Sequence, residues 1–212
     1  MAAPEARDRI LEAACDLIAA EGIDEVRIAR VANRARASTS LVHHYFDTRE
    51  ELLEQALLHS YEQVGEDRFG DDPSTAEAGA AEAEGVGSAT AGLARAIHEC
   101  LPLPGAQERG WVLWVELWLR AVRDPELRPI ATKLYARYRE WMAGVIRAGV
   151  ESGEFRAEAD PEALADEAMA LLDGAGVRAL IGDPGMDIEH ARALVARTLA
   201  EQLGIEAAAL GA

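Results

Sequence analysis

The chain has 212 residues, enough for one domain or two small ones and for a core that needs no staples. Its 21 Lys and Arg stand against 38 Asp and Glu, a net charge of −17, which excludes a generally basic nucleic-acid coat; any DNA contact has to come from a local patch. The two cysteines, Cys15 and Cys100, lie in apolar helical contexts, which argues against a disulfide scaffold and fits a reducing compartment; no stretch approaches ~18 consecutive apolar residues, so no membrane span is expected and a cytoplasmic location is. Glu5, Arg7, Asp8 and Arg9 interrupt the first ten residues, which argues against a secretory leader.

Helical periodicity dominates and strand alternation is absent, so the fold class is all-α. The first helix is predicted over about Asp8 to Glu21, with Ile10, Ala14, Leu17 and Ile18 on one face and Gly22 as the stop. A second runs from about Arg27 to Ala35, with Ile28, Val31, Ala32 and Ala35 inward, and a third from about Ser38 to Phe46. Thr48 opens a fourth, and Glu51 three residues later completes a capping box ahead of Leu52, Leu53, Ala56 and Leu57. Between Glu62 and Gly92 eight acidic residues face one arginine and large aliphatics are almost missing, which predicts a long, flexible acidic loop. Helices resume over Leu93 to Leu101 and Gly110 to Arg123. Asp124-Pro125 predicts the start of a helix that Gly153 stops, and Asp160-Pro161 and Asp187 open the last two, over 161–181 and 187–203.

The strongest chemical signal is the stretch 27–49. Two short helices joined by Arg36-Ala37 form a helix-turn-helix pattern. In the second of them Leu41, Val42, Tyr45 and Phe46 can face a core, while Thr39, Ser40, His43 and His44 share the opposite face, where hydroxyl and imidazole groups can reach base edges or phosphates. Five arginines (27, 30, 34, 36 and 49) against Asp47 give this stretch a local +4, inside a first sixty residues that sum to −4. Thr48, the amides that open the fourth helix, and Arg49 form a candidate anion site. The predicted DNA-contacting set is therefore Arg27, Arg34, Arg36, Ser38, Thr39, Ser40, His43, His44, Tyr45, Thr48 and Arg49. A metal site on the paired histidines is disfavoured, because neighbouring helical positions splay apart and no Cys or carboxylate stands at ligand spacing. No cofactor is expected.

The runs Arg27-Ile28-Ala29-Arg30-Val31-Ala32, Ser38-Thr39-Ser40-Leu41-Val42-His43-His44-Tyr45-Phe46 and Thr48-Arg49-Glu50-Glu51-Leu52-Leu53 resemble the head of TetR-type repressors over about residues 8 to 58. Arg123 to Phe155, with its ESGEF word, and Leu171-Leu172-Asp173-Gly174 resemble the C-terminal domain of the choline-responsive, BetI-type branch. The resemblance implies a helix-turn-helix DNA-binding domain over 1–58 and a helical ligand-binding and dimerisation domain over 59–212. It implies a homodimer through helices 161–181 and 187–203, a palindromic double-stranded operator, and release by a small-molecule effector. Four positions depart from the family pattern: Arg36 stands at the turn glycine, Ser40 at another common glycine, His43 at the usual tyrosine and Arg49 at the usual lysine. A left-handed backbone at Arg36 would be strained.

In the body, Trp111, Trp114 and Trp118 fall on one helical stripe, with Tyr138 and Trp141 on the next helix. They fit either a packed core or a cavity whose ring faces hold an apolar or cationic molecule. Asp173 is either a satisfied structural carboxylate or a ligand contact. The small residues of the last two helices permit either intramolecular packing or a dimer interface. No G-x-S-x-G, P-loop or H-E-x-x-H motif occurs, so enzyme chemistry is not expected. Two rivals remain at this point: a DNA-binding protein without a ligand, and a helical small-molecule-binding protein or enzyme whose head no longer binds DNA.

Overall fold

The computed structural model describes residues 6–69, 88–125, 127–156 and 158–212. Among these, nine α-helices and no strand occur: α1 Ala6–Glu21, α2 Ile28–Arg34, α3 Thr39–Tyr45, α4 Arg49–Phe69, α5 Ala89–Glu99, α6 Ala106–Arg123, α7 Arg128–Glu151, α8 Pro161–Leu180 and α9 Ile188–Leu203. Short 3-10 turns cover Ile23–Glu25 and Ala207–Leu210. None of the described helices is long and apolar enough to cross a membrane. By packing the chain forms two compact units, one of Met1–Arg68 with Arg109–Ala131, the other of Phe69–Glu108 with Thr132–Ala212. The stretch 109–131 thus packs with the head, whereas the sequence division after residue 58 assigns it to the body.

The first unit is built on the predicted faces. Ile10, Ala14, Leu17 and Ile18 of α1 are buried with Val31 and Ala32 of α2, Val42 of α3, and Leu52, Leu53 and Leu57 of α4. Cys15 is buried among them; its thiol donates to the Ala56 carbonyl at 3.0 Å, and burial pushes its pKa up to about 12, so it stays a neutral thiol.

Four predicted boundaries need correction. The acidic loop does not begin at Glu62, because α4 continues to Phe69, and it does not reach Gly92, because α5 starts at Ala89; residues 70–87 of that prediction lie outside the described residues. Helix α6 starts at Ala106, ahead of Gly110. Asp124-Pro125 is a turn and not a helix start, since α7 begins at Arg128. The reason is Pro129: inside a helix begun at Pro125 it would lack a donor and its ring would meet the carbonyl four residues back, whereas in a first turn its missing N–H costs nothing.

The second unit closes around Leu93, Ile97, Met142, Ile146, Leu172 and Leu199, all essentially inaccessible. Asp160 caps α8 by accepting from Glu162 and Ala163 amides, both at 3.1 Å, with Pro161 in the first turn, and Asp187 caps α9 by accepting from the His190 amide at 2.7 Å. The ESGEF word has a packing account. Gly153, at φ 77°, ends α7 in the left-handed region. Glu154 then turns onto the start of α5, accepting from the amides of Ala89 at 2.9 Å and Thr90 at 3.0 Å and from the Thr90 hydroxyl at 2.9 Å. Burial raises the Glu154 pKa, but these donated bonds outweigh it and hold the carboxyl below its usual range. Phe155 folds its ring back against Gly149, where a β-carbon would stand only 2.1 and 2.2 Å from the ring's Cδ2 and Cε2.

Candidate functional site

Helix α2 ends in a Schellman closure. The Arg36 amide donates to the Asn33 carbonyl at 3.1 Å and the Ala37 amide to the Ala32 carbonyl at 2.8 Å. This geometry puts Arg36 at φ 52°, the one non-glycine residue with positive φ among those described. Replacing Arg36 by glycine should therefore stabilise the fold, by about 0.5–1 kcal/mol after the entropy gained by the unfolded chain is subtracted. The same substitution removes an exposed cation from the turn, so DNA affinity should become less salt-dependent by about one phosphate contact. Denaturant titration and binding at graded salt check the two signs separately.

The turn delivers the chain to Ser38, whose Oγ caps α3 by accepting from the Leu41 amide at 3.1 Å and sits 2.9 Å from Ser40 Oγ. Val42 and Phe46 anchor α3 in the core and Leu41 is half-buried, which leaves Thr39, Ser40, His43 and His44 exposed together. Tyr45 does not join the core as predicted. It is 37% exposed and lies edge-on to His44, with ring centroids 5.1 Å apart. Tyr45 therefore extends the polar face while its neighbour Phe46 stays buried.

The arginines divide by what holds them. Arg30 pairs with Glu21, and Arg34 with Asp16 at 2.8 Å. Arg27 donates to the Asp24 carbonyl at 2.6 Å. Arg49 departs furthest from its predicted place at an anion site. Its guanidinium turns back to the carbonyls of Ile23 and Val26, each at 2.7 Å, and ties α4 to the turn after α1. At the start of α4, Thr48 Oγ1 accepts from the Glu51 amide at 3.0 Å, and the Glu51 carboxylate accepts from the Asp47 amide at 2.8 Å. Arg36 is exposed and makes no ion pair among the described residues.

The aromatic candidates fall in both units. In the first, Trp111 of α6 is buried and Trp114 and Trp118 are half-buried; Trp118 lies 5.1 Å from Trp114 and 6.4 Å from Trp111 between ring centroids. In the second, Trp141 is buried and Tyr138 half-buried on α7, in edge contact at 6.5 Å. Asp173 of α8 is half-buried and accepts from the Tyr135 hydroxyl at 2.6 Å. No cation pairs with it among the described residues, and burial raises its pKa to about 6 against the opposing pull of that hydrogen bond. Sequence reasoning missed Tyr135. Its spacing of three from Tyr138 was the available signal, but its partner stands 38 residues away.

A helix-turn-helix with a solvent-facing polar recognition helix, followed by an all-helical body, defines a DNA-binding regulator. The comparisons agree. The model of the family described as bacterial regulatory proteins, tetR family, matches residues 10–56. That of the BetI-type transcriptional repressor, C-terminal, matches 89–204. The HTH-type transcriptional regulator BetI 1 of Chromohalobacter salexigens is 24% identical over 200 residues, covering 94% of this chain and 91% of that protein. A transcriptional regulator from Saccharomonospora viridis, solved in complex with choline, is 31% identical with a TM-score of 0.77, over 92% of this chain and 95% of that one. A TetR-family regulator from a Rhodococcus species is 27% identical with a TM-score of 0.72, over 93% and 98%. The chain belongs to the TetR family of transcriptional regulators, in its BetI-type branch.

Proposed function

We propose that the protein is a cytoplasmic homodimeric repressor. Residues 1–58 read an inverted-repeat operator, and residues 59–212 bind a small cationic effector and pair the protomers. The observation that carries the DNA reading is the exposed face of α3, where Thr39, Ser40, His43, His44 and Tyr45 are held outward by buried Val42 and Phe46. Two copies would enter successive major grooves about 34–36 Å apart. An effector that shifts this spacing releases the operator.

Pairing is supported by α8. Ala163, Ala170, Gly174 and Ile181 are exposed and fall on one line along the helix, with Ile181 72% exposed. A small-residue stripe lets a second helix approach closely and leaves the large Ile181 something to cover. Introducing glutamate at both Ala170 and Gly174 should give a folded monomer in sedimentation analysis, since neither side chain supports the protomer's own core; an unchanged dimer would place the interface elsewhere.

The effector reading rests on Asp173. A half-buried carboxylate that has a tyrosine hydroxyl but no cation among the described residues is suited to a ligand that brings the positive charge, and the similar regulator from S. viridis was solved with choline. A carboxyl whose pKa is raised on folding contributes stability that is complete below its ordinary value of 3.8 and lost as pH rises through about 6. Without ligand, stability should fall across that window, and Asp173→Asn should remove the fall. Choline binds the ionised form, so its affinity should rise with pH through about 6 and its binding should release a proton. Calorimetric titration of choline into the protein and its Asp173→Asn variant tests this. Equal affinity in both, or no pH dependence, removes Asp173 from the effector site.

A further inference from the structure

Helix α1 carries two carboxylates one turn apart, Glu12 and Asp16, on the side facing α2 and α6 of the same compact unit. Asp16 is shared. Its Oδ2 accepts from Arg34 Nε at 2.9 Å and lies 2.8 Å from Arg34 Nη2; its Oδ1 lies 3.1 Å from Arg109 Nη2. The same Arg109 nitrogen donates to Glu12 Oε1 at 2.8 Å, and the other Glu12 oxygen faces His59 Nε2 of α4 at 4.0 Å. Arg34 is the last residue of α2, and its side chain is half exposed. Arg109 lies on α6, the helix of the tryptophan stripe.

This arrangement governs one of the cations that the helix-turn-helix can offer to DNA. A guanidinium with both Nε and Nη2 on a carboxylate is not available in the same geometry to a phosphate. The pair is exposed, however, and exposed ion pairs are weak enough for a phosphate to compete. How well it competes depends on how much of the Asp16 charge Arg109 takes. With Arg109 in place, Arg34 shares the Asp16 carboxylate; with Arg109 withdrawn, Asp16 pairs with Arg34 alone, and the net negative charge left by Glu12 and Asp16 beside α2 repels the DNA backbone.

We propose that Asp16 is a positioning residue for DNA binding: it holds Arg34 back against α1, and Arg109, through the other oxygen of that carboxylate, sets how firmly Arg34 is held. A displacement of the start of α6 is thereby passed to the recognition unit by one carboxylate. The inference rests on DNA binding by the α2–α3 unit and does not depend on the identity of the effector or on Asp173.

The test measures binding of the full-length protein to a fluorescent duplex across a range of salt, for Asp16→Asn, Arg109→Gln and Arg34→Ala singly and in pairs. Thermal unfolding of each variant reports fold integrity. Asp16→Asn should tighten binding and steepen the dependence of log affinity on log salt by about one phosphate contact. Arg109→Gln should weaken binding and shallow the slope. In the Arg34→Ala background neither change should alter the slope, which separates release of Arg34 from the general effect of removing a negative charge. An unchanged slope in Asp16→Asn overturns the proposal. So does a steepening of equal size when Arg34 is absent.

Discussion

Gly149→Ala should destabilise the protein by about 2–3 kcal/mol, against the usual gain of up to ~1 kcal/mol for removing a glycine from a helix interior. The added β-carbon would stand 2.1 and 2.2 Å from Cδ2 and Cε2 of Phe155 and 2.8 Å from its Cγ, so either the ring or α7 has to move. Phe155 is 3% exposed and belongs to the core of the second unit. Either the ring leaves that core, forfeiting its burial, or α7 and the following turn separate, loosening the Glu154 cap on α5. The expectation has an internal control. Gly110 of α6 has nothing within 4 Å of its β-position, and Gly110→Ala should stabilise by a few tenths to ~1 kcal/mol. Denaturant midpoints of the two variants should move in opposite directions. Movement of both toward higher stability would mean that the ring does not pack against α7.

The second large effect concerns operator binding. Thr39 and His43 stand one turn apart on the exposed face of α3 and contribute nothing to the buried side, which Val42 and Phe46 supply. A specific base contact is worth about 1–3 kcal/mol. Replacing both residues by alanine should therefore cost about 2 kcal/mol or more in operator binding, some thirtyfold in Kd. Stability should stay within ~0.5 kcal/mol of the parent, as for surface changes away from caps and cores. Binding to an unrelated duplex should hardly change, because that affinity comes from cations on the backbone. Competition between operator and unrelated duplex gives the ratio directly. Equal losses on both duplexes would assign these side chains to phosphate contact and not to sequence reading.

What could be read from the sequence was local. The caps at Thr48, Asp160 and Asp187 each need only a side-chain oxygen and an amide two or three residues on. The inward faces of α1, α2 and α4 follow from a period of 3.6. The strain at Arg36 was legible because the turn demands a left-handed residue and the family pattern places glycine there. Distant partners were not legible. Glu154, which accepts from the first amides of α5 and stands 65 residues from Ala89, is such a partner, whereas the start of α5 itself, four residues ahead of its predicted place, carries a local signal in Ser88, whose hydroxyl caps it by accepting from the Ala91 amide at 3.2 Å. The four arginines other than Arg36 looked like one basic patch, yet Asp16, Glu21 and backbone carbonyls claim them from outside the stretch. The tail of α4 was read as loop because its composition is acidic and poor in aliphatics, although Glu and Gln are good helix formers. Tyr45 stands at the edge of the inward face, three residues from Val42 and one from Phe46, and periodicity alone does not decide which way an edge position turns.

The central claim is that α3 of a paired regulator reads a specific duplex. Selection from a pool of random double-stranded DNA by the purified full-length protein, at near-physiological salt, tests it most directly. An enriched inverted repeat whose half-sites lie one helical turn or a multiple apart is the predicted result, and Thr39 and His43 should then be required for the enrichment. A folded protein that enriches no sequence above the starting pool would contradict the account.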